Sequence, residues 1–277
     1  MTKRASRGLA TVTAVALLAA GCIGTGTKKE QLQLDLQEPS DVGKGGRVVY
    51  VLLDVSCDMT SPQESHNRRM AIDVATHAAA FDGGMVVVGT VRALASQNIV
   101  FESVRFERTG SSAQLRKDNA LDQRDKALKE LRRLAAPGAG QPCRSDLLNA
   151  ISELARQRRL TAQELGRDPP VNDLVFVTNG LIVDPQRKIV LTRDPIERSD
   201  MYAQTLKKIR QTWNPPDLHG FTIWFVGLGR DEAIKSGKRG PAIQRLWTDI
   251  LKPTGADLRE PSITADEVTS SLLRGSS

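Results

Sequence analysis

Three short polar clusters contain side chains of the kinds that bind metal ions or take part in catalysis. They are Asp54 to Thr60, Cys143 to Asp146, and Thr178 to Gly180. Their carboxylate, hydroxyl and amide oxygens are the ligand types that hard divalent cations such as Mg²⁺ take. Paired carboxylates, here Asp54 and Asp58, also act as acids, bases or nucleophiles in hydrolytic enzymes. The clusters therefore predict either a cation-binding site or a hydrolytic one.

Predicted buried strands precede the first and third clusters. The apolar run Val48 to Leu53 ends at Asp54, and Leu174 to Val177 ends at Thr178. Continuous apolar runs of this length are typical of strands that are buried on both faces. Phe221 to Val226 is a further run of this kind, and the second cluster stands directly before a predicted helix.

Apolar residues recur at helical spacing between these runs, as in Met70, Val74, Ala78 and Phe81. Strands that alternate with helices predict an α/β fold, here a three-layer, doubly wound, mostly parallel sheet with helices on both faces. Functional residues of such sheets lie at the carboxyl ends of the strands. The three clusters would meet at that edge.

Other segments complete the predicted organisation. Two strands at 85–91 and 98–106 are close enough in sequence to form a hairpin, and 181–198 is an excursion with a small hairpin near 188–191. A capping-box pattern at Thr264 to Glu267 predicts a short terminal helix. The excursion follows the third cluster, so it either shapes specificity there or forms a surface flap.

The first 22 residues predict an export signal that ends in a lipidation site. A basic start is followed by the apolar stretch Leu9 to Ala20, which is too short to span a membrane. Leu18 to Cys22 resembles a bacterial lipobox, in which the chain is cut before a cysteine that carries diacylglycerol. We expect a signal peptide at 1–21, an acylated Cys22 with palmitate-type chains, and a tether at 22–46. The expected location is the bacterial cell envelope, on the outer side of the cytoplasmic membrane or in the outer membrane.

Composition narrows the class of protein further. The 277 residues are 40% hydrophobic and 26% charged, which is ordinary for a globular chain and excludes collagen or a multi-span membrane protein. The net charge of +7 falls to +4 once Lys3, Arg4 and Arg7 leave with the signal peptide. The remaining basic residues are scattered, and aromatic residues are only 4%. We therefore expect no nucleic-acid partner.

The order of the clusters resembles the von Willebrand factor A family. Its site motif is D-x-S-x-S after the first strand, a Thr in a second loop and an Asp in a third. Asp54 and Ser56 match the first two motif positions, while Asp58 replaces a Ser. Ser145 replaces the Thr and is followed by Asp146, and Asn179 replaces the Asp. The resemblance covers roughly 46–262.

The resemblance implies a parallel sheet with one antiparallel edge and a metal-ion-dependent adhesion site at its top. In such a site the hydroxyls of Ser56 and Ser145 would bind Mg²⁺ or another divalent cation, and Asp54 would hold bound water. A carboxylate of a protein partner would fill an open coordination position. Asp58 either balances the charge missing at Asn179 or occupies the position of the ligand. The alternative is a site without metal, whose polar residues cap helices and satisfy loop backbone.

Cys57 and Cys143 stand in two clusters that the resemblance places side by side. Disulfides persist in exported proteins. We expect a Cys57–Cys143 bridge, and the alternative is two buried free thiols.

The expected function is that of a binding module and not of an enzyme. A lipid anchor at Cys22 would hold a von Willebrand A-like domain, 47–262, with a short helix and tail at 263–277, and the partner would be a protein of the cell envelope. One alternative is an exported hydrolase or phosphatase that uses Asp54 and Asp58, although Ser56 occupies the position of the second Asp of aspartyl phosphatases. The other is a lipoprotein that binds a small solute.

Overall fold

The apolar run at 48–53 forms a central strand of a mixed six-stranded sheet. In chain order the strands are β1 Val48–Asp54, β2 Met85–Val91, β3 Val100–Arg105, β4 Asn172–Val177, β5 Val183–Asp184, β6 Ile189–Val190, β7 Phe221–Val226 and β8 Asp257–Leu258. The sheet order is β3-β2-β1-β4-β7-β8. Every pair in it is parallel except β2 with β3. Strands β5 and β6 form a separate antiparallel pair.

Six α-helices connect and cover these strands in the described part of the chain. They are α1 Pro62–Asp82, α2 Ala113–Leu131, α3 Leu147–Leu165, α4 Ser199–Thr212, α5 Arg239–Leu251 and α6 Ala265–Arg274. Short 3₁₀ helices at Arg132–Ala135 and Lys252–Thr254 extend α2 and α5. Ser61 and Glu64 form a capping box that starts α1.

The computed structural model describes residues 46–56, 59–91, 99–136, 145–169, 171–184, 186–230, 237–262 and 264–274. The predicted signal peptide, Cys22, Cys57, Asp58 and Cys143 lie outside these residues. Within them, no helix is both long and apolar enough to cross a membrane.

Strand β1 shows how the sheet separates two helical layers. Val48, Tyr50 and Leu52 belong to a core shared with α3, α4 and α5. The intervening residues point to the opposite face, where α1 packs on β1, β2 and β4, and α2 and α6 pack on α1. All seven β1 side chains are buried as a result. The structure confirms the predicted three-layer α/β fold with a mostly parallel sheet.

The antiparallel pairing of β2 and β3 confirms the predicted hairpin-like arrangement of those two strands. The small hairpin expected in the excursion is the β5–β6 pair. The terminal helix predicted from the capping box is α6, whose Leu272 is fully buried. Strand β8 was not expected, because its two residues are too few to show a periodic pattern.

Candidate functional site

Asp54 is the point at which the three polar clusters meet. It is the last residue of β1 and is fully buried. Its Oδ1 accepts hydrogen bonds from the Ser145 hydroxyl and from the Ser56 backbone N–H, both at 3.1 Å. Its Oδ2 accepts from the Thr178 hydroxyl at 3.0 Å. One carboxylate therefore joins the first, second and third clusters.

The start of α3 positions Ser145. Asp146 is the N-cap of this helix, and its Oδ1 accepts from the Asn149 backbone N–H at 3.2 Å. The Ser145 carbonyl accepts from the Val183 N–H at 3.3 Å. Helix capping and the β5 backbone thus hold the Ser145 hydroxyl toward Asp54, while Asp146 itself caps the helix.

The third cluster is a tight turn against α5. Asn179 Oδ1 accepts from the Leu181 N–H at 3.0 Å, so its side chain closes the turn. Gly180 has φ +79°, and a Cβ there would lie 2.3 Å from Leu228 Cδ1. The Gly180 carbonyl accepts from Trp247 Nε1 at 2.9 Å. This turn needs glycine both for its backbone conformation and for its closeness to α5.

Burial dominates the electrostatics of the site. It raises the pKa of Asp54 above its ordinary value, and hydrogen bonds from Ser56, Thr178 and Ser145 oppose that rise. Burial also raises the pKa of Asp146, with a further rise from the Asp184 charge. Among the described residues, none of the ion pairs involves Asp54. Its charge is balanced by hydroxyl and amide dipoles.

Arg68 is a site neighbour that the sequence analysis did not identify. It is fully buried on α1, and its guanidinium donates to the carbonyls of Met59 at 2.6 Å and Ala135 at 2.8 Å. Burial lowers the pKa of Arg68, and the negative charges of Glu64 and then Asp54 oppose that fall. The one available signal was its position, four residues before the buried Ile72 on the same helical face. Arg68 thus holds Met59, which lies shortly before α1.

Arg187 ties the 181–198 excursion to the second cluster. Its Nη2 donates to Asn149 Oδ1 at 2.8 Å, and its Nη1 lies 3.7 Å from Asp146 Oδ1. The same guanidinium pairs with the Asp184 carboxylate, and the Arg187 N–H donates to Asp184 Oδ1 at 3.0 Å. The excursion is therefore attached directly beside the strand-end face.

The donor set fits a hard divalent cation. A hydroxyl has one proton and two acceptor lone pairs. Ser145 and Thr178 each donate that proton to Asp54, and the Thr178 oxygen also accepts from the Gly180 N–H at 3.0 Å. Acceptor capacity therefore remains on the Ser145 hydroxyl and on one lone pair of Thr178. The described residues contain no group of three or more His, Cys, Asp or Glu side chains that would hold a metal by charge. The Ser56, Ser145 and Thr178 hydroxyls and the Asp54 carboxylate are nevertheless oxygen donors of the kind that Mg²⁺ and Mn²⁺ take.

The expected site residues differ in what they contact. Asp54, Ser56 and Ser145 come together. Asp146 instead accepts from the backbone and side chain of Asn149, and Asn179 accepts from the backbone of its own turn. Thr178 was part of the third cluster without an assigned role, and it provides the contact to Asp54 Oδ2. Asp58 lies outside the described residues, as do both cysteines of the expected disulfide, so their roles stay predictions.

Comparisons with known proteins give weak likenesses. No protein-family model and no curated protein sequence matches the chain. Among solved structures, manganese-loaded TRAP protein of Plasmodium vivax is 13% identical with a TM-score of 0.37, over 83% of this chain and 74% of that one. Proximal thread matrix protein 1 of the mussel byssus is 11% identical with a TM-score of 0.36, over 83% of this chain and 47% of that one.

The observed sheet, and not these likenesses, defines the class of protein. It is a three-layer α/β domain with five parallel strands, one antiparallel edge strand and a polar site at the carboxyl ends. This arrangement fits a von Willebrand A-like fold.

Proposed function

We propose that this protein is a lipid-anchored binding module of the bacterial cell envelope that holds a protein partner through the strand-end face of a von Willebrand A-like domain. The observation that carries the proposal is the convergence of the Ser145 and Thr178 hydroxyls on the buried carboxylate of Asp54. Three separate parts of the chain build this one polar point at the edge where open α/β sheets bind their ligands.

The proposal includes a divalent cation at this point. Ser56, Ser145 and Thr178 would hold it through their hydroxyl oxygens, and Asp54 would orient those hydroxyls and bound water. When bound, the cation supplies a coordination position for an acidic side chain of the partner. Asn179 contributes no charge, so the partner carboxylate would supply much of the negative charge that the cation needs.

The burial of Asp54 argues against a role as nucleophile or general base. Both of its carboxylate oxygens already accept hydrogen bonds, and the side chain is fully buried. A nucleophile or general base must reach its substrate within hydrogen-bond distance. Asp54 is instead held as an internal acceptor that orders its neighbours.

Calorimetric titration with Mg²⁺ and Mn²⁺ tests the cation part. The wild-type chain should show saturable heat, and the double variant Ser56→Ala/Ser145→Ala should show none. The matched control is Thr212→Ala/Thr248→Ala, which removes two exposed hydroxyls that bond only to backbone carbonyls of their own helices. Saturable heat that survives in the site variant would contradict the proposed ligands.

The partner is tested with the same variants. Chemical crosslinking in intact cells, followed by affinity purification, should recover a protein with the wild-type chain and with the control variant. The site variant should lose that protein, and so should the wild-type chain in the presence of a chelator. Recovery that resists both changes would place the partner on another surface. Incorporation of labelled palmitate, abolished by Cys22→Ser, tests the anchor separately.

A further inference from the structure

The edge of the sheet opposite the candidate site has an unusual surface. We name it the amino-terminal rim and define it as residues 105–118 and 156–168. The first segment lies where the parallel strands begin, because the Phe106 N–H donates to the Gly84 carbonyl at 2.8 Å, just before β2. The second lies there because Arg158 donates to the His219 carbonyl at 3.0 Å and covers the ring of Phe221, the first residue of β7.

The rim is basic. Its two segments hold eight Lys and Arg residues against four Asp and Glu residues. That balance gives a net charge of +4 in 27 residues, while the whole chain has 39 basic and 32 acidic residues. These two segments therefore carry a larger excess of basic charge for their length than the chain as a whole. Arg105, Arg108, Arg159 and Arg167 are all exposed there.

Exposed leucines interrupt the basic residues. Among the residues that the structure describes, the exposed large hydrophobic side chains are Val100, Leu115 and Leu160. Leu115, 45% exposed, precedes Arg116 and Lys117, and Leu160, 43% exposed, follows Arg158 and Arg159. Two of the three thus lie in the rim, each beside a basic pair. Exposed apolar side chains among Lys and Arg are characteristic of surfaces that lie in a membrane interface.

The chain enters the domain at this same edge. Gly46 is the first described residue, and a Cβ there would lie 2.5 Å from the Gly83 carbonyl at the end of α1. The 24 residues from Cys22 to Gly45 would connect it to the lipid anchor. A chain that leads from an anchor at Cys22 would therefore reach the domain on the side of the rim.

We propose that the amino-terminal rim binds the anionic phospholipid headgroups of the membrane that holds the anchor. The basic side chains contact the headgroups, and Leu115 and Leu160 enter the interface. The orientation follows from the fold, since the candidate site lies at the opposite end of the same strands. The domain lies with its rim on the bilayer and presents the Asp54 face to partners. The anchored orientation rests on the proposed function, whereas headgroup binding by the rim does not.

Vesicle co-sedimentation tests the rim without the anchor. The probe protein is the chain from residue 22 onward with Cys22→Ser, which keeps every described element. At 0.1 M salt it should bind vesicles of equal phosphatidylglycerol and phosphatidylcholine, and it should not bind vesicles of phosphatidylcholine alone. Raising the salt to 0.5 M should release it, because the Debye length falls from about 10 Å to roughly 4 Å.

Two variants with the same change in charge locate the binding surface. The rim variant is Lys117→Glu/Arg159→Glu/Leu160→Gln. The control is Lys129→Glu/Lys238→Glu/Val100→Gln, which makes the same kinds of change near the carboxyl ends of the strands. The rim variant should lower the partition coefficient at least about tenfold, and the control less than about threefold. Both should keep the wild-type thermal midpoint and circular dichroism spectrum.

Several outcomes would overturn the proposal. They are equal binding to neutral and anionic vesicles, equal losses in the two variants, and retention on a soluble polyanion without vesicle binding. The last outcome would assign the rim to a polyanionic polymer. None of them affects the palmitate test of Cys22, so a failure of the rim and a failure of the anchor are distinguishable.

Discussion

Asp54 and Asp173 are buried carboxylates at opposite ends of adjacent parallel strands, with 0% and 2% exposure. Asp173, near the start of β4, accepts from Arg47 Nε at 2.5 Å in a buried ion pair. Arg47 also donates to the Leu272 carbonyl, so the same cation holds α6. Asp54, at the end of β1, has hydroxyl and amide donors in place of a cation.

The difference separates a structural carboxylate from a candidate binding one. A buried charge needs a partner, and Asp173 has a permanent one within the chain. Asp54 is held by two hydroxyls and a backbone N–H, and each hydroxyl keeps at least one lone pair for a further ligand. The carboxylate at one end of the sheet is thus neutralised by an ion pair, and the carboxylate at the other end is held by neutral donors, where we propose that a cation binds.

The largest effect should come from removing the Arg47–Asp173 ion pair. Arg47→Ala leaves Asp173 buried without its ion pair and removes the bond to α6. We expect a loss of about 3–5 kcal/mol in the free energy of unfolding, measured by urea denaturation. Asp54→Asn should change that free energy by about 1 kcal/mol or less without added metal, because it removes a buried charge and keeps the shape. Equal losses in the two variants would erase the distinction between the ends.

Helix α1 runs between the two ends of the sheet. Its His77 allows the stability of the fold to be tested at low pH, independently of the candidate site. Burial, followed by the Arg124 charge, lowers the pKa of His77 to about 4. Its unfolded pKa is about 6.5, so the unfolded chain binds this proton first and stability falls as the pH drops from about 6.5 to 4. The free energy of unfolding, measured in urea, should be about 3 kcal/mol lower at pH 4 than at pH 7 through this group.

His77→Gln should remove that part of the pH dependence. His66→Gln is the matched control, since His66 lies on the same helix and is half-exposed beside Asp266. A pH dependence that is unchanged in His77→Gln, or that disappears in His66→Gln, would assign the acid sensitivity to other groups.

The third-cluster turn should respond to a change in the core behind it. Trp247→Phe removes the donor to the Gly180 carbonyl and leaves a gap beside Phe176 and Phe225. We expect a loss of roughly 2 kcal/mol in stability, from the unmade hydrogen bond and the smaller ring. The affinity for Mg²⁺ should fall as well, because the turn that carries Thr178 loosens. Lower stability with unchanged Mg²⁺ affinity would show that this turn does not contribute to the site.

The smallest expected effect concerns the affinity of the Asp54 end of the sheet for Mg²⁺. Asn179→Asp places at this position the acidic residue of the von Willebrand factor A motif that the sequence resembles, and the new side chain can still accept from the Leu181 N–H. An added charge beside a divalent cation should tighten Mg²⁺ binding by about 1 kcal/mol, or roughly fivefold, in calorimetry. Asn214→Asp, an exposed change elsewhere, is the charge-matched control. Weaker binding in Asn179→Asp would mean that this position faces away from the cation.

Much of the fold could be predicted because its signals are local. The buried run at 48–53, the helical spacing in 70–81 and the strand at 221–226 each identify an element from neighbouring residues alone. Strand β8 could not be predicted, because two residues are too few to show an alternating hydrophobic pattern. The Arg47–Asp173 ion pair could not be predicted either. Its two residues are 126 positions apart, and in sequence each resembles an ordinary surface charge.

The candidate site was predicted in outline and altered in detail. The rule that α/β sheets bind ligands at strand ends selected Asp54, Ser56 and Ser145, which do converge. It could not show that the Asp146 and Asn179 side chains turn to their own backbone. Backbone N–H groups compete for such oxygens locally, and only the final turn geometry decides which bond forms.

The sequence by itself determined the order of strands and helices, the burial of β1 and the set of polar residues at strand ends, because periodicity and residue type act over a few neighbours. The tertiary structure alone decided that Ser145 and Thr178, 91 and 124 residues from Asp54, donate to the two oxygens of one carboxylate. It also decided that the basic segments at 105–118 and 156–168 lie at the opposite edge. The pairing order of the strands sets both arrangements, and that order depends on packing between distant parts of the chain.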